Sequence, residues 1–335
     1  MSNKRAIAVI GATSQIGNAL VELLQEHNFP VGEFYPLDHE DEAGGRIELA
    51  NKQHIIKDVA NFDFSKADIA FFVSESYISE KYVPLAIDAD CIAIDRTDAY
   101  RNEEITALVV SGVNTNVIGN NKMIASPSCI TIGLTKVLKP VYDSVGIKSI
   151  HISTYQAVSG AGKAGLEEAG LQTAAMLNFK EMKTNVFPHQ IAFNVIPQIG
   201  AFEESGYTKE EMKIIQETKK VFADDSICID VTAVRVPVFY GHSMSLSIET
   251  KVPMAIDEVR KLLSNVDGVE VTDTGDFNEY PTPVSDAAGR ETIYVGRIRK
   301  QPANEKGLAL WISADNIRAG AASNLLQIAE FLTNH

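Results

Sequence analysis

Arg5-Ala-Ile-Ala-Val-Ile-Gly-Ala-Thr-Ser-Gln-Ile-Gly17 decides how the first half of the chain is read. The apolar start is a strand, Gly11 to Ser14 form a turn, and the following residues, with Leu20, Leu23 and Leu24 recurring on one face, form a helix. A strand that turns straight into a helix points unpaired backbone N–H groups and the positive end of the helix dipole at one spot. An anion such as a pyrophosphate suits that spot. The glycine fingerprint of such turns is incomplete here, because Ser14 stands where a third glycine is expected. Taken alone, the segment is nearly as well read as a tight packing of strand on helix.

Outward from this segment, strands are predicted near Val31 to Leu37, Ile69 to Val73 and Cys91 to Asp95, with helical or loop material between them. That alternation implies a parallel sheet wound with helices, a Rossmann-like α/β domain. Beyond about Ser126 the pattern changes. Residues 147–155, 228–240 and 243–251 alternate with β-branched residues, while 163–178 and 208–222 read as helices, giving an α+β domain. Ala319 to Leu332 closes the chain as an amphipathic helix. The expected division is 1–127 with the C-terminal helix 315–335 as the dinucleotide-binding domain, and 128–314 as the second domain.

A chain of 335 residues with 45% hydrophobic and 22% charged residues has the size and composition of two folded domains. Met1 to Arg5 is polar and basic, but the apolar run after it stops at Gly11 without a cleavage site of small residues, so it reads as a strand and not a signal peptide. No stretch approaches the roughly 20 apolar residues of a membrane helix. A net charge of −14 argues against nucleic acid or an anionic membrane as partner. Cys91, Cys129 and Cys228 are too scattered for a disulfide framework or a paired-ligand metal site, so no metal is expected and a reducing cytoplasm fits. Any phosphorylated ligand must be held by a few local cations.

Ser126-Pro-Ser-Cys-Ile-Thr131 precedes an apolar helical run, which puts Cys129 at or near a helix N-terminus. There the dipole stabilises thiolate, the state a nucleophile needs. Cys91 and Cys228, embedded among isoleucines, read as small buried hydrophobes. Among the seven histidines, His242 is the one with a strand, a hinge glycine and an arginine around it; His151 and His189 read as structural. Arg235 and His242 would face opposite sides of an uninterrupted strand, so a bulge or turn at Gly241 is needed to bring them into one cleft. Thr208 and Glu211 form a capping-box pattern, and Glu210 and Lys213 share a helix face, where an ordinary surface ion pair is the generic expectation.

Together these motifs resemble the aspartate-β-semialdehyde dehydrogenase family, with the likeness running from Ile7 to Ile328. The matching stretches are Gly-Ala-Thr near the start, Cys129 after Ser-Pro-Ser, Thr154-Tyr-Gln-Ala-Val-Ser-Gly-Ala-Gly162, Gly206-Tyr-Thr-Lys-Glu-Glu-Met-Lys213, Arg235 to His242, and Ala314-Asp-Asn-Ile-Arg-Ala-Gly-Ala-Ala322. The resemblance implies Cys129 as nucleophile and His242 as acid/base. It implies Gln156, Glu210 and Arg235 at the amino-acid part of the substrate, and Arg101 and Lys213 at phosphate. Gly11, Thr13, Ser14, Gln15, Ile16, Ser159, Gly160 and Asn316 would face the cofactor. The implied reaction is reductive dephosphorylation of L-aspartyl-4-phosphate through a cysteine thioester, using NAD(P) and releasing inorganic phosphate. It would serve lysine, methionine and threonine biosynthesis in a cytoplasmic homodimer or dimer of dimers, with 128–314 as the catalytic and dimerisation domain.

The chain departs from the family pattern at Ser128, where asparagine is usual, at Val73-Ser-Glu-Ser76, where a glycine-rich run is usual, and at Ser111-Gly112, where Pro-Glu is usual. After the second strand it reads Leu37-Asp-His-Glu-Asp-Glu42, with His39 and Asp41 where NADP-using relatives tend to place serine and arginine. The family implies NADP, whereas Asp38 and Asp41 favour NAD, because an acidic residue there accepts from a ribose 2′-hydroxyl and repels a 2′-phosphate. Two other readings compete: a diverged paralogue acting by binding, and a reductase of N-acetylglutamyl phosphate. Glu210, suited to a free ammonium, argues against an acetylated amine.

Overall fold

The structure, a computed structural model, describes residues 4–273 and 278–334. The chain divides into two units, Met1–Ser128 with Ala321–His335, and Cys129–Gly320.

The first unit contains β1 (Arg5–Ile10), α1 (Gln15–Glu26), β2 (Val31–Asp38), β3 (Arg46–Leu49), β4 (Lys52–Ile55), β5 (Lys57–Asp58), β6 (Ile69–Phe72), α2 (Ser76–Asp88), β7 (Ile92–Asp95), β8 (Ala107–Leu108) and β9 (Met123–Ala125). Seven of these strands form one sheet in the order β5-β2-β1-β6-β7-β9-β8, every pair parallel. A parallel sheet is covered on both faces, which is why β1 and β6 read as unbroken apolar runs and Ile7 to Ile10 and Ile69 to Phe72 are buried. The strand-turn-helix opening is present as expected. Ser14 is the N-cap of α1, its hydroxyl accepting from the Gly17 N–H. The close packing of helix on strand falls to Gly17 instead, where a Cβ would lie 2.2 Å from the Gly11 carbonyl oxygen. At the Ser111-Gly112 departure, Gly112 takes φ +77, a left-handed turn that glycine enters without the strain a side chain brings.

The second unit contains α3 (Cys129–Val145), β10 (Ile147–Gln156), α4 (Gly162–Leu177), α5 (Lys209–Phe222), β11 (Cys228–Arg235), β12 (His242–Thr250), α6 (Ile256–Leu263), β13 (Val269–Val271), β14 (Ile293–Gln301) and β15 (Asn304–Ala314). Its six-stranded mixed sheet runs β11-β10-β12-β15-β14-β13. Helices α3, α5 and α6 pack on one face, over inward residues such as Ile150, Ile152, Leu246 and Ile248. The opposite face carries the alternate residues, including the exposed His151 and Tyr155 and the half-buried Ser245, Ser247 and Glu249. Tyr155 and Trp311 set their rings 5.3 Å apart there.

Four expectations need correction. The strand predicted over 228–240 stops at Arg235, because Pro237 has no N–H to give a ladder and Gly241 at φ +88 turns the chain. Cys228 is exposed, since it begins an edge strand and faces the open side. His151 and His189 are exposed as well, not packed as structural histidines. The closing helix α7 (Ser323–Asn334) starts later than periodicity suggested, after a π turn over Arg318–Ala322. It belongs to the first unit, where the buried Asn324 amide donates to the Val109 carbonyl and Ser126 hydroxyl and accepts from the Ser111 N–H.

Candidate active site

Cys129 is the first residue of α3, half-buried, at the end of the helix where N–H groups have no intrahelical acceptor. Its neighbour in space is Gly320, where a Cβ would come 2.6 Å from the Cys129 Cβ. Gly320 is held by its own N–H, which donates to the Asp315 carbonyl at 2.8 Å, while the Asp315 carboxylate accepts from the Ile317 and Arg318 N–H groups. Any larger residue at 320 would displace Cys129. Sequence reading missed this position; the signal was a glycine inside an otherwise helical run.

The carboxyl end of β10 organises the polar side chains. Gln156 is its last residue and sits in register with Arg235 on β11. The Gln156 amide oxygen accepts from the Thr154 hydroxyl at 3.1 Å, and its nitrogen donates to Glu210 at 3.2 Å. Glu210 also meets Lys213 at 3.2 Å, in the first turns of α5, whose start is fixed by the expected capping box of Thr208 and Glu211. Glu210 and Lys213 are 13% and 24% exposed, so this is not a fully solvated surface pair.

One residue further, Ala157 holds two groups at once. Its carbonyl accepts from Arg235 Nη1 at 2.6 Å, and its N–H donates to His242 Nδ1 at 3.0 Å. An N–H can only donate, so Nδ1 is the unprotonated nitrogen and the neutral ring carries its proton on Nε2. The chain thus places Arg235 and His242 on either side of β10, by a crossing over 236–241, and not on one bulged strand. Both reach Gly160, where a Cβ would lie 2.6 Å from Arg235 Nη1 and 3.4 Å from His242 Nε2. Burial pulls the Arg235 pKa down, and the charges of Glu210 and Cys129 oppose that shift, so the guanidinium lies within electrostatic reach of Cys129.

Ser159 donates to Asn316 Oδ1 at 3.1 Å, and so does the Gly241 N–H. The Asn316 amide oxygen is thus engaged twice, and the donors that remain to this side chain are its amide N–H groups. Cys129, Gln156, Ser159, Gly160, Glu210, Lys213, Arg235, His242 and Asn316 therefore all lie in the second unit.

Gly11, Thr13, Ser14, Gln15, Ile16, Asp38 and Arg101 lie in the first unit. Gly11 takes φ +90 and has no room for a Cβ, which would fall 2.8 Å from the Ser74 nitrogen. Gln15 and Ile16 open α1 and are half-buried. Asp38 is buried; one oxygen accepts from the Thr13 N–H and hydroxyl at 2.9 and 2.7 Å, and the other from the His39 N–H at 3.0 Å. Its first job is to brace the turn. Glu40, Asp41 and Glu42 follow it as an exposed short helical turn, with Asp41 3.2 Å from His39. Arg101 is buried, paired with Asp98 at 2.8 Å and donating to the Arg96 carbonyl. Among the described residues no cluster of His, Cys, Asp or Glu could hold a metal, and no helix is long and apolar enough to cross a membrane.

Residues 6–121 match the NAD-binding domain of semialdehyde dehydrogenases, and residues 138–319 match their dimerisation domain. An aspartate-semialdehyde dehydrogenase of Shewanella violacea is 44% identical over 99% of this chain and 98% of the relative. Aspartate-semialdehyde dehydrogenase 2 of Vibrio cholerae is also 44% identical over the same shares. A crystal structure of aspartate semialdehyde dehydrogenase II from Vibrio cholerae, complexed with ASA, superposes with a TM-score of 0.97 at 43% identity, covering 99% of both chains. The chain belongs to the aspartate-semialdehyde dehydrogenase family.

Proposed function

We propose that this chain catalyses the NAD(P)-dependent reductive dephosphorylation of L-aspartyl-4-phosphate to L-aspartate 4-semialdehyde. The observation that carries the reading is the placement of a half-buried cysteine at a helix N-terminus beside a buried arginine, with His242 and Arg235 hung on the same residue, Ala157.

Cys129 Sγ attacks the acyl carbon, the bond to phosphate breaks, and a thioester forms. Lys213 moves its ammonium from Glu210 to the leaving phosphate, with Arg101 as the second cation. Arg235 presents a planar fork to the substrate α-carboxylate, and Glu210 with Gln156 takes the α-ammonium. The nicotinamide, when bound, supplies the hydride that reduces the acyl carbon. His242 Nε2–H then faces the oxygen on which negative charge develops and returns to its starting state as the carbon–sulfur bond breaks and the thiolate leaves. Glu210 disfavours an acetylated amine, and the intact set of reacting side chains disfavours a purely binding paralogue.

The turn after β1 fits a dinucleotide: Gly11 gives close backbone approach and the N-terminus of α1 favours an anion. Asp41, Glu40 and Glu42 would repel a ribose 2′-phosphate, so NAD is the preferred cofactor where the family implies NADP. The open face of the second unit's sheet supports a homodimer, with a dimer of dimers as the alternative that light scattering distinguishes. Thiolate chemistry supports a reducing cytoplasm as its compartment, and the reaction would serve the supply of lysine, methionine and threonine precursors. The test is oxidation of L-aspartate semialdehyde with each nicotinamide cofactor: reduction of the cofactor that requires inorganic phosphate is expected, and its absence overturns the reading.

A further inference from the structure

Helix α5 carries a third ionisable side chain on the stripe that holds Glu210 and Lys213. Glu217 follows Lys213 by one turn, and it is 1% exposed. A carboxylate withdrawn so far from water is costly unless hydrogen-bonded. The Thr131 hydroxyl, itself 0% exposed, donates to its Oε2 at 2.6 Å. Thr131 is on α3, two residues after Cys129.

Other buried carboxylates of this unit hold backbone. Glu211 accepts from the Thr208 and Ala233 N–H groups, and Glu168 from those of Asn185, Val186 and Phe187. Glu217 meets a side chain in the first turn of the nucleophile's helix. Ile130, Ile132, Leu134, Val137 and Leu138 bury α3 by apolar contact, which fixes its depth but is non-directional. A short hydrogen bond at the third residue is directional and resists rotation of the helix about its axis.

We propose that Glu217 is a positioning residue, whose hydrogen bond with Thr131 sets the rotation of the first turn of α3 and so aligns Cys129 with Glu210 and Lys213 on α5. With side chains about 5–6 Å from a helix axis, a rotation of roughly 10° moves a side-chain head by about 1 Å. Misplacement of that size costs up to about a hundredfold in rate. The kinetic part of the inference rests on the dehydrogenase reading.

The test uses the full chain carrying Cys228→Ser, so that iodoacetamide reports Cys129, because the Cys91 thiol is buried and pushed up to about 12. Thr131→Val, Thr131→Ser, Glu217→Gln and the pair Thr131→Val with Glu217→Gln are compared for alkylation rate, kcat, KM and melting temperature. Thr131→Val is expected to lower kcat about tenfold and slow Cys129 alkylation, with KM for semialdehyde and phosphate within about twofold. Thr131→Ser, which keeps the hydroxyl, restores most of both. The double variant is no slower than Thr131→Val alone, because once the hydroxyl is gone the change at 217 has no bond between the two residues left to weaken. A Thr131→Val enzyme with the parent's kcat and alkylation rate overturns the proposal, as does Thr131→Ser as slow as Thr131→Val, or losses that simply follow melting temperature. If the parent itself shows no phosphate-dependent oxidation, the dehydrogenase reading fails, and the alkylation rates still decide the role of Glu217.

Discussion

Gly160→Ala is the sharpest single perturbation of the site. The backbone at 160 is not left-handed, so alanine brings no conformational strain of its own. The added Cβ would lie 2.6 Å from Arg235 Nη1 and 3.4 Å from His242 Cε1 and Nε2. The first contact is far inside van der Waals range, and Arg235 cannot swing away freely, being 6% exposed and bound to the Ala157 carbonyl. Relief requires about 1 Å of movement by the guanidinium, and a displacement of that size costs about a hundredfold in rate. That corresponds to about 2.7 kcal/mol of lost transition-state stabilisation. Overpacking should also lower stability by about 1–3 kcal/mol, so melting temperature is measured alongside. The assay is kcat/KM for semialdehyde at saturating phosphate and cofactor. A fall of about a hundredfold with cofactor KM changed by less than about threefold is expected. Retention of kcat/KM within about twofold, or a change confined to cofactor KM, would refute the reasoning that Gly160 is the floor beneath Arg235 and His242.

Cys129→Ser should abolish turnover while leaving melting temperature nearly unchanged; a serine variant with the parent's rate would remove the nucleophile assignment. Arg235→Lys should raise KM for semialdehyde and lower kcat together, because a point charge cannot reproduce a bidentate hold on the carboxylate; an unchanged KM would contradict the clamp. Asp41→Arg should shift the NADP:NAD ratio of kcat/KM towards NADP by about tenfold at low salt and by less at high salt, and a ratio that does not move would show that the acidic turn never meets the cofactor. Lys136 is buried on α3 and pulled down to about 8 by desolvation, against the charges of Asp267 and Glu291. Since its folded pKa lies below the unfolded one, unfolding takes up a proton and the destabilisation is fully present below about pH 8, fading as pH climbs towards 10.5. Lys136→Met should therefore change stability relative to the parent in a pH-dependent way across that window, seen in urea melts, and a pH-independent difference would rule the shift out.

The fold was legible wherever one period dominated. β1 and β6 announce a doubly covered sheet by unbroken apolar runs, and α1 announces itself by Leu20, Leu23 and Leu24 on one face. The edges were less legible. Val236-Pro-Val-Phe-Tyr240 has strand composition, yet Pro237 withholds a donor and the segment pairs with the loop after β10, the Val158 N–H donating to the Val238 carbonyl. Cys228 has two isoleucine neighbours and a buried reading by composition, but its exposure is decided by which strand ends up at the sheet edge, a tertiary fact. Asp38 illustrates a third limit. Position marks it as a candidate for ribose, but that one of its carboxylate oxygens also accepts from the Thr13 N–H and hydroxyl is a partnership across residues that no local pattern encodes.

The candidate site shows why chemistry-bearing residues are easier to find than the residues that aim them. Cys129, Arg235 and His242 stand out because few side chains can act as nucleophile, anion clamp or proton-bearing donor. Ala157 and Gly160 carry no chemistry in their side chains, yet one backbone N–H selects the tautomer of His242 and one missing Cβ leaves room for Arg235. Tautomer choice is a consequence of geometry that composition cannot express: had a carbonyl faced Nδ1, the neutral ring would carry its proton there and present Nε2 as an acceptor. The same histidine, on the same strand, would then be suited to take a proton from Cys129 and not to donate to a developing oxyanion. The direction of a single peptide group at residue 157 therefore decides which half of acid/base chemistry His242 can begin with.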